Sequence, residues 1–509
     1  MKRSTLLLLV LCGVLLGAAI AVPLTNVANK NRLLASKYED WLKLSVIMQK
    51  IDEMYVDSVD HAKVTDAAVT AALSALDPHS IYMLPQKLEE SESDLAGNFS
   101  GIGIQFNVPN DTAIVIEVIP GGPAERVGMQ AGDRLMTVDQ TPIAGVGFPQ
   151  DSMVRRMKGP TGTRVKVTVS RDGETIPFEI IRGRIPTHSV DAAFMVSDTV
   201  GFLRLSKFSR TTAQEFLESV KELKGNGMQH LIVDLRDNGG GFLDQALSLC
   251  NFFLEKNKLI VYMEGLHRPR EDFYADGNGS LKNLGLTLLV SDGSASSSEI
   301  FAGAMQDNGR AKLVGRRTFG KGLVQEPVDF KDGSGIRITV ARFYTPSGRC
   351  IQKPYTNYEE ELIRRYENGE MLAADSMNVD KGGIVPDIFV PIDTTRVGQF
   401  YVSCNRKGTP VRFSSYYFDS HKAELQAITT FDELLAYFDS VNLESRFLAF
   451  AKNRDGLSPT EEEWKTESHY MMTQVRALVG RYSKLGDKAF YHLYLDTDPV
   501  YKAAMEALQ

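Results

Sequence analysis

Cysteine is scarce: four in 509 residues, at positions 12, 250, 350 and 404. Set that far apart they cannot make the dense framework of a disulfide-stapled fold, and none has a partner at metal-ligand spacing. Cys250 falls in an apolar, helix-like run and reads as core, while a Cys350–Cys404 bridge stays open in an oxidising compartment. The eight histidines are dispersed and no H-E-x-x-H occurs, which excludes a zincin. No G-x-S-x-G occurs either, which excludes the nucleophile elbow of an α/β-hydrolase. No metal site and no cofactor are expected. Basic charge is not in excess, with 57 Lys and Arg against 64 Asp and Glu and a net charge of −7. A nucleic-acid partner needs a basic face, and this balance speaks against one.

What is present is an ordinary globular composition, 43% hydrophobic and 24% charged. The length calls for roughly two to four domains. The chain opens with Lys2-Arg3 and an uncharged, mostly apolar stretch from Ser4 to Val22, closed by Pro23. At about 1.5 Å per residue this stretch reaches roughly 28 Å, enough to span a bilayer. Ala19-Ile20-Ala21 also reads as a small-residue cleavage site. Residues 1–23 are therefore a membrane anchor or a signal peptide, two alternatives the sequence leaves open. In both, the positive flank keeps the N-terminus inside and places the following chain outside the cytoplasm, the periplasm in a bacterium.

Residues 30–95 look helical, with Leu44, Ile47, Ile51 and Met54 on one apolar stripe until Asp77-Pro78 breaks the pattern. From about residue 97 the pattern changes to short strands and glycine turns. Gly101-Ile102-Gly103-Ile104 leads into a strand, and Ala113 to Ile119 is rich in β-branched residues. Pro123-Ala124, Gly128 and Ala131-Gly132-Asp133 follow, then a short helix over 150–158 and an alternating strand from Arg164 to Val169. The segment 96–183 resembles a PDZ domain. In such a domain Gly101, Ile102, Gly103 and Ile104 would bind peptide: their amides converge on a terminal carboxylate and the next strand offers an edge for strand addition.

From 185 to 396 strands and helices alternate, the pattern of an α/β core. Leu231 to Leu235 reads as a buried strand ending in Arg236-Asp237-Asn238-Gly239-Gly240-Gly241. This is not the dinucleotide fingerprint G-x-G-x-x-G, because its third glycine would be Asp244. By itself the cluster is a tight strand-to-helix turn that lets backbone amides approach another group closely. Leu286 to Val290 reads as a second buried strand, followed by Gly293-Ser294-Ala295-Ser296-Ser297-Ser298-Glu299. Ile300, Phe301, Ala304 and Met305 then recur at helical spacing. A serine at such a turn is oriented near the positive end of a helix dipole, where a developing oxyanion is stabilised. Ser296-x-x-Glu299 is equally a capping box, and the local sequence leaves both readings open. Lys321, on the glycine-flanked loop Thr318-Phe319-Gly320-Lys321-Gly322, is available as a base for a serine. The same region matches G-x-x-x-x-G-K from Gly315 to Lys321, but the Ser or Thr that would hold Mg²⁺ is Gly322, which argues against a nucleotide site.

Taken together, residues 35–395 resemble the carboxy-terminal processing peptidases, tail-specific proteases with a serine–lysine dyad. The resemblance rests on Ala75-Leu76-Asp77-Pro78-His79-Ser80, the PDZ-like segment, Asp234-Leu235-Arg236-x-Asn238-x-Gly240-Gly241, the serine run, Thr318 to Gln325 and Gly383-Ile384-Val385-Pro386-Asp387. It implies a multidomain α/β protein: a ClpP/crotonase-like core over 185–396, an inserted β-rich PDZ domain over 96–183, and helical regions over 30–95 and 397–509. The family's nucleophile-to-lysine spacing selects Ser296 among the four serines and pairs it with Lys321. It also maps an orienting glutamine onto Gln325 and an oxyanion hole onto the amides of Ser297 and Gly240. Expected partners are proteins with exposed, apolar C-termini, with an adaptor protein, the membrane through an uncleaved anchor, and a homo-oligomer left open. The dyad requires a neutral lysine, and holding one neutral at pH 7 costs about 4.6 kcal/mol, so its site must be dry or cationic. Two features lie outside the family pattern: a polar insertion at 354–380 and the helical tail. The rival readings are a PDZ scaffold without catalysis, disfavoured by the presence of Ser296, Lys321 and Gln325, and a peptide-trimming or retinoid-binding relative of the same fold.

Overall fold

The computed structural model describes residues 41–108, 111–355, 358–372, 382–392 and 398–508. The leader read over 1–23 lies outside these residues, as does part of the insertion at 354–380. Among the described residues no helix is long and apolar enough to cross a membrane. The chain divides into two units, residues 1–76 and 77–509. In the first unit, residues 41–54 and His61–Ser74 are helical, the second helix capped by Asp60, whose carboxylate accepts from Lys63 N. The stripe of the first helix is solvent-facing at Leu44, Ile47 and Met54.

The second unit is built on a six-stranded sheet in the order Val190–Met195, Val200–Leu205, His230–Asp234, Gly285–Val290, Lys312–Gly315, Ile388–Phe389. Only the first pair is antiparallel. The central strands are continuous apolar runs because the sheet is buried on both faces. One face carries Leu203, Leu231, Val233, Leu286 and Leu288 against the helices Thr212–Gly225, Leu243–Phe253 and Ser297–Asp307. The other carries Phe202, Ile232, Leu289 and Val314 against Leu495, Val500 and Ala504. The end of the helical tail thus forms the second cover of the sheet, and Asp498 there pairs with Arg236 at 2.6 Å. The rest of the tail, helical from Gln399 onward, has its own core around Phe413, Phe447 and Met471.

An antiparallel sheet flanks this core: Gly335–Tyr344 pairs with Leu323–Asp329, Leu259–Gly265 and the short strand Ile81–Met83. The inserted β domain hangs on a ribbon in which Asn98–Gly101 pairs with Gly183–Pro186, so the chain leaves and returns side by side. Its sheet runs Ile104–Asn107, Ala113–Val118, Arg134–Val138, Arg164–Arg171, Glu174–Ile181. The alternation at 164–169 is realised: Val165, Val167 and Val169 are buried, while Arg164 and Lys166 are exposed. Ile104–Asn107 is an edge strand of this sheet. Asn107 at its end donates to Tyr482 OH (2.6 Å) and Ser415 Oγ (3.0 Å) of the tail. Cys250 and Cys404 are buried and Cys350 is exposed; all three are free thiols, so the Cys350–Cys404 bridge left open by the sequence is not formed.

Candidate active site

Three loops leave the carboxyl ends of neighbouring parallel strands, the edge where open α/β sheets place their sites. They run over 235–241, 291–296 and 316–322. Backbone and side-chain bonds lock them together. Ala295 N and Ser298 Oγ both donate to Asn238 O at 2.9 Å, Ser294 Oγ to Leu235 O at 2.8 Å, Ser297 Oγ to Gly241 O at 2.8 Å, and Phe319 N to Ser294 O at 3.0 Å.

These bonds separate the four serines of the run. Ser294, Ser297 and Ser298 are buried with their hydroxyls committed to backbone carbonyls. Ser296 is half-buried, and its hydroxyl is tied to no carbonyl among the described residues. It precedes the helix Ser297–Asp307 with φ 56° and ψ −116°. A non-glycine residue held there stores roughly 1–3 kcal/mol of strain, of the kind concentrated at reactive turns.

Gly240, at φ +96°, is packed directly against that turn. A Cβ on it would lie 2.8 Å from Ser296 Cβ, 2.8 Å from Ala295 O and 2.9 Å from Ser297 N, so any side chain would force the two loops apart. Its amide donates to Asn238 Oδ1 at 2.9 Å, and Asn238 Nδ2 in turn donates to Leu205 O at 2.8 Å. The Gly240 N–H read from the family resemblance as an oxyanion donor is therefore engaged within its own turn in this structure.

Glu299, read at first as one half of a capping box, does more than cap. It is fully buried and both oxygens are filled: Oε1 accepts from Thr318 Oγ1 (2.5 Å) and Gly320 N (2.7 Å), Oε2 from Lys321 N (2.8 Å) and Ser296 N (2.9 Å). Burial pushes its pKa up and the four donors oppose the rise. One carboxylate thus joins the serine turn to the lysine loop, a role invisible in the sequence because its partners lie about twenty residues away.

Lys321 is half-buried. Burial lowers its pKa from the ordinary lysine range, the Glu299 carboxylate opposes this, and the Arg337 guanidinium reinforces it. Gln325 lies on the strand Leu323–Asp329 in register with Thr339, and its Nε2 is buried with no hydrogen-bond partner among the described residues. A turn from the start of the second unit docks at this register position. Asp77 accepts from the amides of His79 and Ser80, from Ser80 Oγ and from Thr339 Oγ1, and Ser80 Oγ accepts from Thr339 N. Burial, reinforced by the charges of Lys321 and Lys353, pushes the His79 imidazole pKa down to about 4 against the pull of Asp77. The sequence shows Asp77-Pro78-His79-Ser80 as a motif without showing what it touches.

In the β domain, Gly101 ends the ribbon strand opposite Gly183, Ile102 is buried in the domain core, Gly103 turns at φ +80° and Ile104 starts the edge strand. Ile102 O and Gly103 O accept from Ala124 N (2.8 Å) and Ile119 N (3.0 Å), which fixes this loop against the following turn. Among the described residues no cluster of His, Cys, Asp and Glu is arranged to hold a metal ion.

A sheet edge at which Glu299 ties a serine turn to the loop of a half-buried lysine, with a β domain hung on a ribbon, fits one class: a PDZ-bearing serine-type peptidase. The family models agree. Peptidase family S41 matches residues 199–362, a PDZ domain matches 100–181, and a family of unknown function matches 400–483. The chain is 32% identical over 354 residues to a "Probable CtpA-like serine protease" of Staphylococcus haemolyticus, covering 69% of this chain and 71% of the relative. It is 30% identical over 374 residues to a carboxy-terminal-processing protease of Bartonella bacilliformis, covering 72% and 85%. Among solved structures, a photosystem II D1 C-terminal processing protease is 27% identical and aligns over 69% of this chain and 87% of the other with a TM-score of 0.38. The chain belongs to the PDZ-containing carboxy-terminal processing peptidases of family S41.

Proposed function

We propose that this peptidase works through a Ser296–Lys321 dyad and selects proteins by apolar C-terminal tails bound at its PDZ domain. The observation that carries the reading is the serine run: of its four hydroxyls, only that of Ser296 is free of a backbone carbonyl among the described residues, and it sits on a strained turn bonded through Glu299 to the lysine loop. In this reaction Ser296 Oγ attacks the scissile carbonyl while Lys321 Nζ takes the hydroxyl proton and returns it to the leaving amine. Water then hydrolyses the acyl-enzyme with the same lysine as base. The dry surroundings of Lys321 favour the neutral amine this needs. Gln325 orients that amine. The Ser297 amide and the Gly240 turn receive the oxyanion, the latter once the bond from Gly240 N to Asn238 opens.

A substrate tail adds to the free edge of Ile104–Asn107 with its carboxylate at the Gly101–Ile104 loop. Bound there, it raises the local concentration of the segment upstream at Ser296. The leader at 4–22 places this work in the cell envelope, periplasmic or anchored. The test is cleavage of an unfolded protein ending in apolar residues, and of the same protein ending in two aspartates, by the wild type, Ser296→Ala and Lys321→Ala. Intact mass should show fragments with wild type alone, and fewer with the acidic tail. Cleavage surviving in Ser296→Ala sinks the nucleophile, and equal cleavage of both tails sinks the tail selection.

A further inference from the structure

We propose that His79 and Tyr358 are positioning residues for the base, a hydrogen-bonded pair that walls the Lys321 pocket and keeps it dry. The inference rests on the Ser296–Lys321 reading and gives a role to the polar insertion, whose helix Tyr358–Glu367 begins at that tyrosine. Tyr358 is the hub of four contacts. Its hydroxyl lies 3.0 Å from His79 Nε2, with the rings 5.4 Å apart. The same hydroxyl accepts from Gln352 Nε2 at 3.4 Å, and Gln352 Oε1 accepts from Gly322 N at 3.0 Å, the residue after Lys321. The Tyr358 ring stands edge-on to Phe319, two residues before Lys321, at 5.3 Å. Lys353 Nζ lies over both rings, at 3.9 Å from Phe319 and 4.2 Å from Tyr358, and is held by Glu361 at 2.7 Å on the insertion helix. The pair therefore grips the lysine loop on both sides of Lys321, while the Asp77–Ser80 turn fastens His79 to the strand opposite Gln325.

The charges around this pocket are few. Glu299 and Arg337 face Lys321; Lys321, Asp77 and Lys353 face His79; Asp77, Tyr355 and Glu361 face Tyr358. With its pKa near 4, His79 is neutral at working pH. Bonded to the tyrosine that packs on the lysine loop, it adds no positive charge there and offers no anion that would stabilise the ammonium. Water admitted in its place would solvate the ammonium and move the lysine pKa back up.

The experiment is the pH profile of kcat and of kcat/KM, from pH 6 to 10, for the full chain cleaving an unfolded protein with an apolar tail. Wild type, His79→Ala, His79→Gln, Tyr358→Phe and Lys321→Ala are compared, with thermal unfolding as the check on folding. We expect the rising limb of His79→Ala to move up by at least about half a unit, an activity loss of roughly threefold or more at neutral pH that alkaline pH restores. Tyr358→Phe keeps the ring and moves the limb the same way by less, and His79→Gln lies between wild type and His79→Ala. A uniform fall at every pH with an unmoved limb overturns the proposal and leaves the pair a structural role only. If His79→Ala does not fold, Tyr358→Phe carries the same test. An active Lys321→Ala would overturn the dyad and the wall with it, whereas an inactive Lys321→Ala beside unmoved limbs overturns the wall alone.

Discussion

Glu299→Gln is the sharpest perturbation the site offers, because it exchanges one oxygen for an NH₂ with almost no change of shape. Four donors converge on the buried carboxylate, three of them backbone amides and the fourth the Thr318 hydroxyl. Whichever way the amide is turned, at least one backbone N–H meets a donor. Placed at Oε2, the nitrogen strips Ser296 N and Lys321 N of their acceptor; placed at Oε1, it strips Gly320 N, while the Thr318 hydroxyl can turn and accept from it. A hydrogen bond to a charged group contributes about 1.5–3 kcal/mol, so losing one or two amounts to about 1.5–6 kcal/mol, part of it recovered if the loops separate. Separation is what should abolish activity, since an ångström of misplacement between reacting groups costs about a hundredfold. Chemical denaturation of the full chain measures the first quantity, and kcat on an unfolded substrate with an apolar tail measures the second. Glu299→Asp, which keeps the charge but not the reach, should fall between. A Glu299→Gln enzyme within about threefold of wild-type kcat and 1 kcal/mol of its stability would refute the view that this carboxylate holds the serine turn and the lysine loop in register.

Three further outcomes follow from the same geometry. Ser296→Gly removes the strain of φ 56° and ψ −116°, so it should be inactive yet more stable than Ser296→Ala by about 1–2 kcal/mol in denaturation. Gly240→Ala places a methyl group 2.8 Å from Ser296 Cβ at a φ of +96°; cleavage should be lost and stability should fall by about 2 kcal/mol or more, as read by the denaturation midpoint. Lys321 has a folded pKa below its unfolded one, so over the intervening pH range the unfolded chain binds more protons and wild-type stability rises with pH. Lys321→Met should therefore be more stable than wild type at pH 7, with the difference shrinking as denaturation midpoints are taken to pH 10.

The parts of the site that were legible in advance are those whose signal is local. The buried strands at 231–235 and 286–290 read correctly because an apolar run with β-branched residues and a glycine-rich exit has few other uses. The inserted β domain was legible from the change at residue 97 to strands and glycine turns, and its 164–169 alternation maps directly onto burial. Glu299 was legible only as a cap, because a carboxylate three residues into a helix is usually no more than that, and Thr318 and Lys321 are its partners only after folding. The helical tail read as a region outside the family pattern, yet Leu495, Val500 and Ala504 complete the cover of the central sheet.

The sequence by itself determined the element order, the strand–loop–helix context of the serine run, and the family to which the chain belongs. These depend on residue type and spacing along one stretch of chain. Tertiary structure alone decided which serine hydroxyls are tied to carbonyls, because the acceptors for Ser294, Ser297 and Ser298 belong to the 235–241 loop, about sixty positions away. It likewise decided that a histidine and a tyrosine from positions 79 and 358 are hydrogen-bonded to each other, with the tyrosine ring packed on Phe319 of the lysine loop. Hydrogen-bond satisfaction and desolvation are set by what surrounds a group in space, and separation along the chain carries no record of either.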